Sequence, residues 1–181
     1  MKNFKMIVGL SNPLKKYYNT RHNIGSWFIK HLSKKFDVKL NIKKKFYGYI
    51  GLWKYFNNFI YLLIPNIYMN LNGISVYSTS SFYKIKSDNI LIIQDDLNTA
   101  IGKTKFIISC NNYGHNGIKN IISKFEKHTL FKRICVGIGR PSKNNISLSS
   151  YVLSSPSKEE KKSIINSINN SIHIIEKFIK L

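Results

Sequence analysis

The sequence predicts one α/β domain, residues 1–181, built on a mixed sheet with helices against both faces. Three features predict it. The 181 residues suffice for one hydrophobic core and show no low-complexity linker and no internal repeat. Short apolar runs alternate with segments of helical periodicity along the chain. Polar residues gather where the apolar runs end, the place where open α/β sheets build their sites.

Phe4 to Leu10 reads as a buried strand closed by the loop Ser11-Asn12-Pro13. Ile24, Trp27, Phe28, Leu32 and Phe36 then fall on one helical face, with Asn23 at the N-cap position. Phe46 to Trp53 and Phe59 to Ile64 read as two strands joined by a turn at Asn57-Asn58, and Pro65 stops the second. Leu71, Ile74 and Tyr77 or Ser78 predict a helix running to about Tyr83. Asn89 to Ile93 is a strand that ends at Asp95-Asp96, and Lys103 to Ile108 is another. Ile118, Ile121, Ile122 and Phe125 have helical spacing, with Asn116 placed to cap. Arg133 to Ile138 is a further strand, closed by Gly139-Arg140-Pro141. Ser157 with Glu160 forms a capping-box pattern, after which Ile164, Ile168, Ile172, Ile175 and Ile179 line one face of a final helix.

Lys and Arg number 29 against 8 Asp and Glu, a net charge of +21. Such an excess suits a polyanionic partner, because each neutralised phosphate releases a counterion. A second source of the excess is AT-biased codon usage, to which the abundant Lys, Asn and Ile and the lone alanine, Ala100, also point. Only clustering in space separates the two. Cys110 and Cys135 have no metal-ligand spacing and imply no disulfide framework, so a reduced chain is expected. The start MKNFKMIVGL is too short and too polar for a signal peptide, and no apolar run is long enough to span a bilayer. A cytoplasmic location and no membrane partner are the expectations.

Four polar segments stand out: Gly9 to Gly25, Pro65 to Gly73, Gln94 to Asn98 and Tyr113 to Gly117. They offer a histidine at a loop–helix junction, a carboxylate at a strand end and several asparagines. A histidine can take a proton from water near neutral pH. A carboxylate on its other nitrogen fixes the tautomer, and neutral amides can donate to an oxyanion. Read alone, a histidine beside an asparagine at a helix start is more often structural, and Asp95-Asp96 could equally be turn residues. The other acids, Asp37, Asp88, Glu126, Glu159, Glu160 and Glu176, form no second cluster, so no metal is expected. No G-x-S-x-G segment offers a serine nucleophile.

The motifs in order resemble those of the bacterial-type peptidyl-tRNA hydrolases. IVGLSNPLKKYYNTRHNIG resembles the family's G-L-x-N-P-G and T-R-H-N-x-G segments, and PNIYMNLNG its P-x-x-x-M-N-x-S-G. QDDLN stands where the family has D-D-L-D, GHNGIKNI resembles G-H-N-G-L-x-S-I, and FKRICVGIGRP resembles R-L-R-I-G-I-G-R-P. The resemblance implies one α/β domain with a twisted mixed sheet, hydrolysis of the peptide–tRNA ester, no metal or cofactor, and a monomer. It implies that His22 is the general base, that Asp95 orients it, and that Asn12 positions water and the scissile carbonyl. It places Asn70 and Asn116 on the peptide backbone and the tRNA 3′ end, Tyr17 near the 3′ adenosine, and Met69 on the wall of the peptide groove. His115 is expected to be structural or close to substrate, not a second base.

The chain departs from the family pattern at several points. Leu14 replaces a glycine, Asn98 replaces the second acid of D-D-L-D, and Ser109 to Tyr113 replace a glycine-rich approach. Cys135 replaces a basic residue credited with a phosphate contact, which leaves Lys105 and Arg133 as candidates for that contact. The lid region near Ser142 to Ser150 and the final helix are expected to be shorter than in the family. Two other functions stand beside the hydrolase: a non-catalytic RNA-binding protein on the same fold, and an esterase for small substrates, which the +21 charge disfavours.

Overall fold

The computed structural model describes residues 4–142 and 145–180. Among the described residues seven strands form one mixed sheet: β1 (Met6–Gly9), β2 (Asn41–Lys43), β3 (Gly48–Tyr55), β4 (Asn58–Pro65), β5 (Ile90–Asp96), β6 (Thr104–Ser109) and β7 (Phe131–Gly137). Their spatial order is β2-β3-β4-β1-β5-β7-β6. The centre β4-β1-β5-β7 is parallel, while the β2-β3-β4 wing and the β6 edge are antiparallel. The helices are α1 (Ile24–Lys35), α2 (Asn72–Phe82), α3 (Asn116–Ile122), α4 (Leu148–Val152) and α5 (Lys158–Lys180).

The central strands are almost wholly apolar because both of their faces are covered. One face, including Ile7, Leu62, Ile93 and Val136, packs with Phe28 and Leu32 of α1 and Ile164, Ile168, Ile172 and Ile175 of α5. The other, with Val8, Leu63 and Ile92, packs with Val76 of α2 and Ile118 and Ile121 of α3. The predicted fold class and the helical face of α5 are therefore observed. So is the capping box: Glu160 N donates to Ser157 Oγ (3.2 Å) and Ser157 N donates to Glu160 Oε2 (2.7 Å). β2 and α4 went unpredicted. β2 has three exposed residues and α4 only five in all, too few for a periodic signal.

Two predicted caps are corrected. Asn23 precedes α1 but its side chain makes no cap bond. The cap of α3 is His115, not Asn116: His115 Nδ1 accepts from Gly117 N (3.1 Å) and Ile118 N (3.4 Å). Asn116 is the first residue of that helix. In both places a stronger tertiary demand occupies the side chain that local rules assign to the cap.

Candidate active site

The site forms where β1, β4 and β5 end in the parallel centre of the sheet. Two glycines let α1 lie directly on β1. A Cβ on Gly25 would sit 2.4 Å from Leu10 N and 2.6 Å from Ile93 O, and one on Gly9 would sit 2.0 Å from Gly25 O. This contact fixes the 3-10 turn Arg21–Asn23 just ahead of α1. Three asparagines then pin the neighbouring loops. Asn23 Oδ1 accepts from Asn12 N (2.8 Å) and its Nδ2 donates to Asn12 O (3.0 Å). Asn72 bonds both the N (3.1 Å) and the O (3.0 Å) of Ser11. Asn12 Oδ1 accepts from Met69 N (2.9 Å). Because that contact requires an acceptor, the side chain's Nδ2 is its donor. Arg21 holds the same turn from behind. It pairs with Glu160 (2.7 Å), donates to Ser154 Oγ (2.7 Å) and Ser155 O (3.0 Å), and lies 4.2 Å from the Tyr151 ring centroid.

Asp95, at the end of β5 and 3% exposed, is shared by two histidines. His22 Nδ1 lies 2.9 Å from each carboxylate oxygen, and His115 Nε2 lies 3.1 Å from Oδ1. The hydrogen-bond pattern sets both tautomers. His115 Nδ1 accepts two backbone N–H groups, so its proton is on Nε2 and points at Asp95. His22 donates from Nδ1, so its Nε2 presents a lone pair. Burial opposes charge on His22, but the Asp95 carboxylate outweighs it and raises the ring's pKa from 6.5. Burial also opposes charge on Asp95. The two imidazoles win there, and hold the carboxyl far below its usual range. The three donor atoms lie within 4.8 Å of one another, close enough to chelate a cation, but each is already engaged in the His–Asp–His hydrogen bonds.

A crevice of about 230 Å³ opens on this trio and is lined also by Leu97, Tyr113, Asn116, Arg140 and Val152. A second, of about 300 Å³, meets the site at Asn12 and runs between α1 and β3 past Tyr49 and Asn66. Of the residues expected from sequence, the fold brings together His22, Asp95, Asn12, Met69 and Asn116. Met69 is buried, with its backbone on Asn12. Asn70 and Asn116 are exposed. Tyr17 is half-buried on its 3-10 turn with Lys16 Nζ 5.0 Å from its ring, and it lines neither crevice.

Arg133 is a correction. It was expected at a tRNA phosphate, yet it is 0% exposed. Its guanidinium reaches inward to Asn111 O (2.7 Å) and Gln94 Oε1 (3.4 Å) and supports the 109–114 loop. β7 carries it on a covered face, which a run of seven residues does not reveal. Lys105 lies opposite Cys135 on the β6 edge, with its ammonium 2.9 Å from Asp96 and its side chain 44% exposed. Cys135 is buried, which pushes its thiol up to about 11, and it forms no bridge with Cys110. Leu14 is extended (φ −82°), so its replacement of glycine needs no strained backbone. Sequence reasoning undervalued His115 and missed Arg21 and Arg140. The signal for His115 was its place one residue ahead of a helix that begins beside Asp95. Arg140 is exposed on the crevice rim, its guanidinium 2.9 Å from Asn98 Oδ1.

An α/β sheet whose strand ends carry a histidine–carboxylate pair, a free imidazole nitrogen and an amide donor is the arrangement of a hydrolase that activates water. The sequence profile of the peptidyl-tRNA hydrolase family matches residues 6–181. The peptidyl-tRNA hydrolase of Buchnera aphidicola from Cinara cedri is 45% identical over 99% of this chain and 93% of its own. That of Wigglesworthia glossinidia brevipalpis is 44% identical over 97% and 92%. The crystal structure of the Acinetobacter baumannii peptidyl-tRNA hydrolase superposes with a TM-score of 0.92 at 32% identity, covering 99% of this chain and 90% of that one. The chain belongs to the peptidyl-tRNA hydrolase family.

Proposed function

We propose that this protein hydrolyses the ester between a peptide, or an N-blocked amino acid, and tRNA, releasing free tRNA for translation. The observation that carries the reading is the His22 tautomer: Nδ1 is bound to Asp95 at 2.9 Å, which leaves Nε2 as a base, while the neighbouring Asn23 tethers the Asn12 loop. Nε2 takes a proton from water as the water oxygen attacks the ester carbonyl. Asn12 Nδ2 donates to the developing oxyanion. The carbon–oxygen bond to the ribose then breaks, and the His22 imidazolium returns the proton to the ribose oxygen. Asp95 steadies the imidazolium, and His115 keeps Asp95 ionised and fixed. The ester is labile enough that this set requires no metal or cofactor. Asn70 and Asn116 would bind the peptide backbone, which leaves its side chains unread, with Met69 as a wall and Tyr17 flanking the 3′ end. We assign the activity to a cytoplasmic monomer; among the described residues no helix is long and apolar enough to cross a membrane.

Turnover of N-acetylaminoacyl-tRNA to N-acetyl amino acid and tRNA tests the proposal. Binding without turnover would favour the non-catalytic RNA-binding reading. Asp95→Asn should lower kcat by about 10²-fold or more with KM little changed, because an amide can donate to His22 and move its proton to Nε2. Asp96→Asn, which loses bonds to Thr99 and Lys105 but touches neither histidine, is the control. Damage at Asp96 with none at Asp95 would exchange their roles. For the tRNA face, Lys105→Ala should lower the slope of log affinity against log salt by about 0.7–0.9, the share of one phosphate contact. Equal losses at Lys161 and Lys177 on α5 would mean a diffuse field instead.

A further inference from the structure

We propose that Tyr113 is the stacking platform for the base of the terminal nucleotide that carries the ester. This rests on the hydrolase reading above and adds to it a nucleobase seat. Tyr113 lines the crevice that opens on His22 and Asp95. The reacting ester is carried on the terminal ribose, so the base of that nucleotide lies within one sugar's length of the attacked carbonyl. It must therefore rest against a wall of this crevice. Tyr113 offers that wall an aromatic face and is 63% exposed. The buried Arg133 guanidinium lies over the ring, 5.5 Å from its centroid, and backs it from inside the protein. Arg140, exposed and lining the same crevice, supplies a cation for the adjoining phosphate.

The backbone supports the same assignment. Tyr113 (φ 50°) and Gly114 (φ 82°) are the centre of a turn closed by His115 N donating to Asn112 O at 3.0 Å. Positive φ at both central positions suits glycine or asparagine and disfavours a bulky ring. The turn is held by Asn112 Oδ1 on Gly114 N (2.8 Å) and by Arg133 on Asn111 O (2.7 Å), and the Tyr113 hydroxyl lies 3.3 Å from Ser109 Oγ. What Tyr113 adds is the ring itself, in a conformation its backbone resists, at the mouth of the site.

The test uses two RNA acceptor minihelices, one with an intact 3′ end and one whose last nucleotide lacks its base. Tyr113→Gly relieves the positive φ and keeps the Asn112 and Arg133 bonds of the loop, losing the one to Ser109, which Tyr113→Phe also loses. It should weaken binding of the intact RNA by about 5- to 150-fold, the range that base–aromatic stacking supplies. Tyr113→Phe should restore the affinity. The abasic RNA should bind wild type weakly and Tyr113→Gly equally weakly. Wild-type affinity for the intact RNA in Tyr113→Gly, or the same loss on both RNAs, would overturn the proposal and leave the ring as a cover for Arg133. Hydrolysis by the wild type is scored separately. Its absence would sink the hydrolase reading, while the two binding constants still decide the base seat.

Discussion

His22→Ala is expected to lower kcat/KM for N-acetylaminoacyl-tRNA by about 10²- to 10⁴-fold, the contribution of a positioned general base. The loss should fall on kcat, since the ring meets water and not the bound amides. The fold should survive. Asp95 keeps His115 at 3.1 Å, and losing one partner costs about 1–3 kcal/mol of an expected total of about 5–15. Near-normal hydrolysis by the variant would remove His22 from the mechanism. The wild-type pH profile should agree. The proposed mechanism needs the neutral ring, so the rate should fall as pH drops through a pKa raised above 6.5 by Asp95. Any residual rate of Asp95→Asn should show that limb at lower pH, because the raising charge is gone.

Stability has the opposite dependence for the same group. The His22–Asp95 contribution through His22 is complete below pH 6.5 and is lost as pH rises through the higher folded value. The contribution through Asp95, whose folded pKa is depressed, is present above its ordinary 3.8 and is lost as pH falls through the folded value. Between these limits the trio supports the fold. A rate that stays flat from about pH 6 to 8 would argue against a titrating imidazole base.

Gly25→Ala is expected to be among the most damaging conservative changes at the site. Its Cβ would meet three backbone atoms, Leu10 N at 2.4 Å, Ile93 O at 2.6 Å and Leu10 O at 2.7 Å. Backbone in the middle of a parallel sheet cannot rotate away as a side chain can, so α1 must lift. Overpacking costs about 1–3 kcal/mol, and contacts this short belong at the upper end or beyond. For a chain of this size that lowers Tm by roughly 6–12 °C. Activity should fall further than stability alone explains, by about 10²-fold for a displacement of the order of 1 Å. The reason is that the 3-10 turn leading directly into α1 carries His22 while β5 carries Asp95. Gly114→Ala is the contrast: no atom lies within 4 Å of its Cβ, and only its φ of 82° resists the methyl. Equal Tm values for Gly25→Ala and wild type would refute the account of how the site is held.

The charge excess has two parts in the structure. Arg140 lines the crevice and Lys105 pairs with Asp96 of its lining, the positions at which the proposed tRNA contact is tested. Lys43, Lys44 and Lys45 lie on and beside the far β2 edge, and Lys158, Lys161, Lys162 and Lys177 on α5, where drift in composition accounts for them as well as binding does.

Apolar runs and helical periodicity were enough to set the layers of sheet and helices, since they record which faces are covered. The ordered motifs of the sequence, through their resemblance to the family's, also singled out His22, Asp95 and Asn12 as the expected chemical set. What the sequence could not determine are partnerships between residues far apart in the chain. The 2.9 Å contact of His22 with Asp95 crosses 73 positions and that of His115 crosses 20, so only folding makes them a trio. The same holds for Asn23 and His115. Local rules make the first a helix cap and the second a bystander, and tertiary contacts make the first a tether of Asn12 and the second both a cap and a partner of Asp95. Arg133 marks the limit most plainly. A charged residue next to a glycine-bounded strand reads as surface, and only the packing of the 109–114 loop over β7 buries its guanidinium and turns it toward Asn111. Burial of a long polar side chain is decided by what covers it, and the residues that cover Arg133 lie about twenty positions away in the chain.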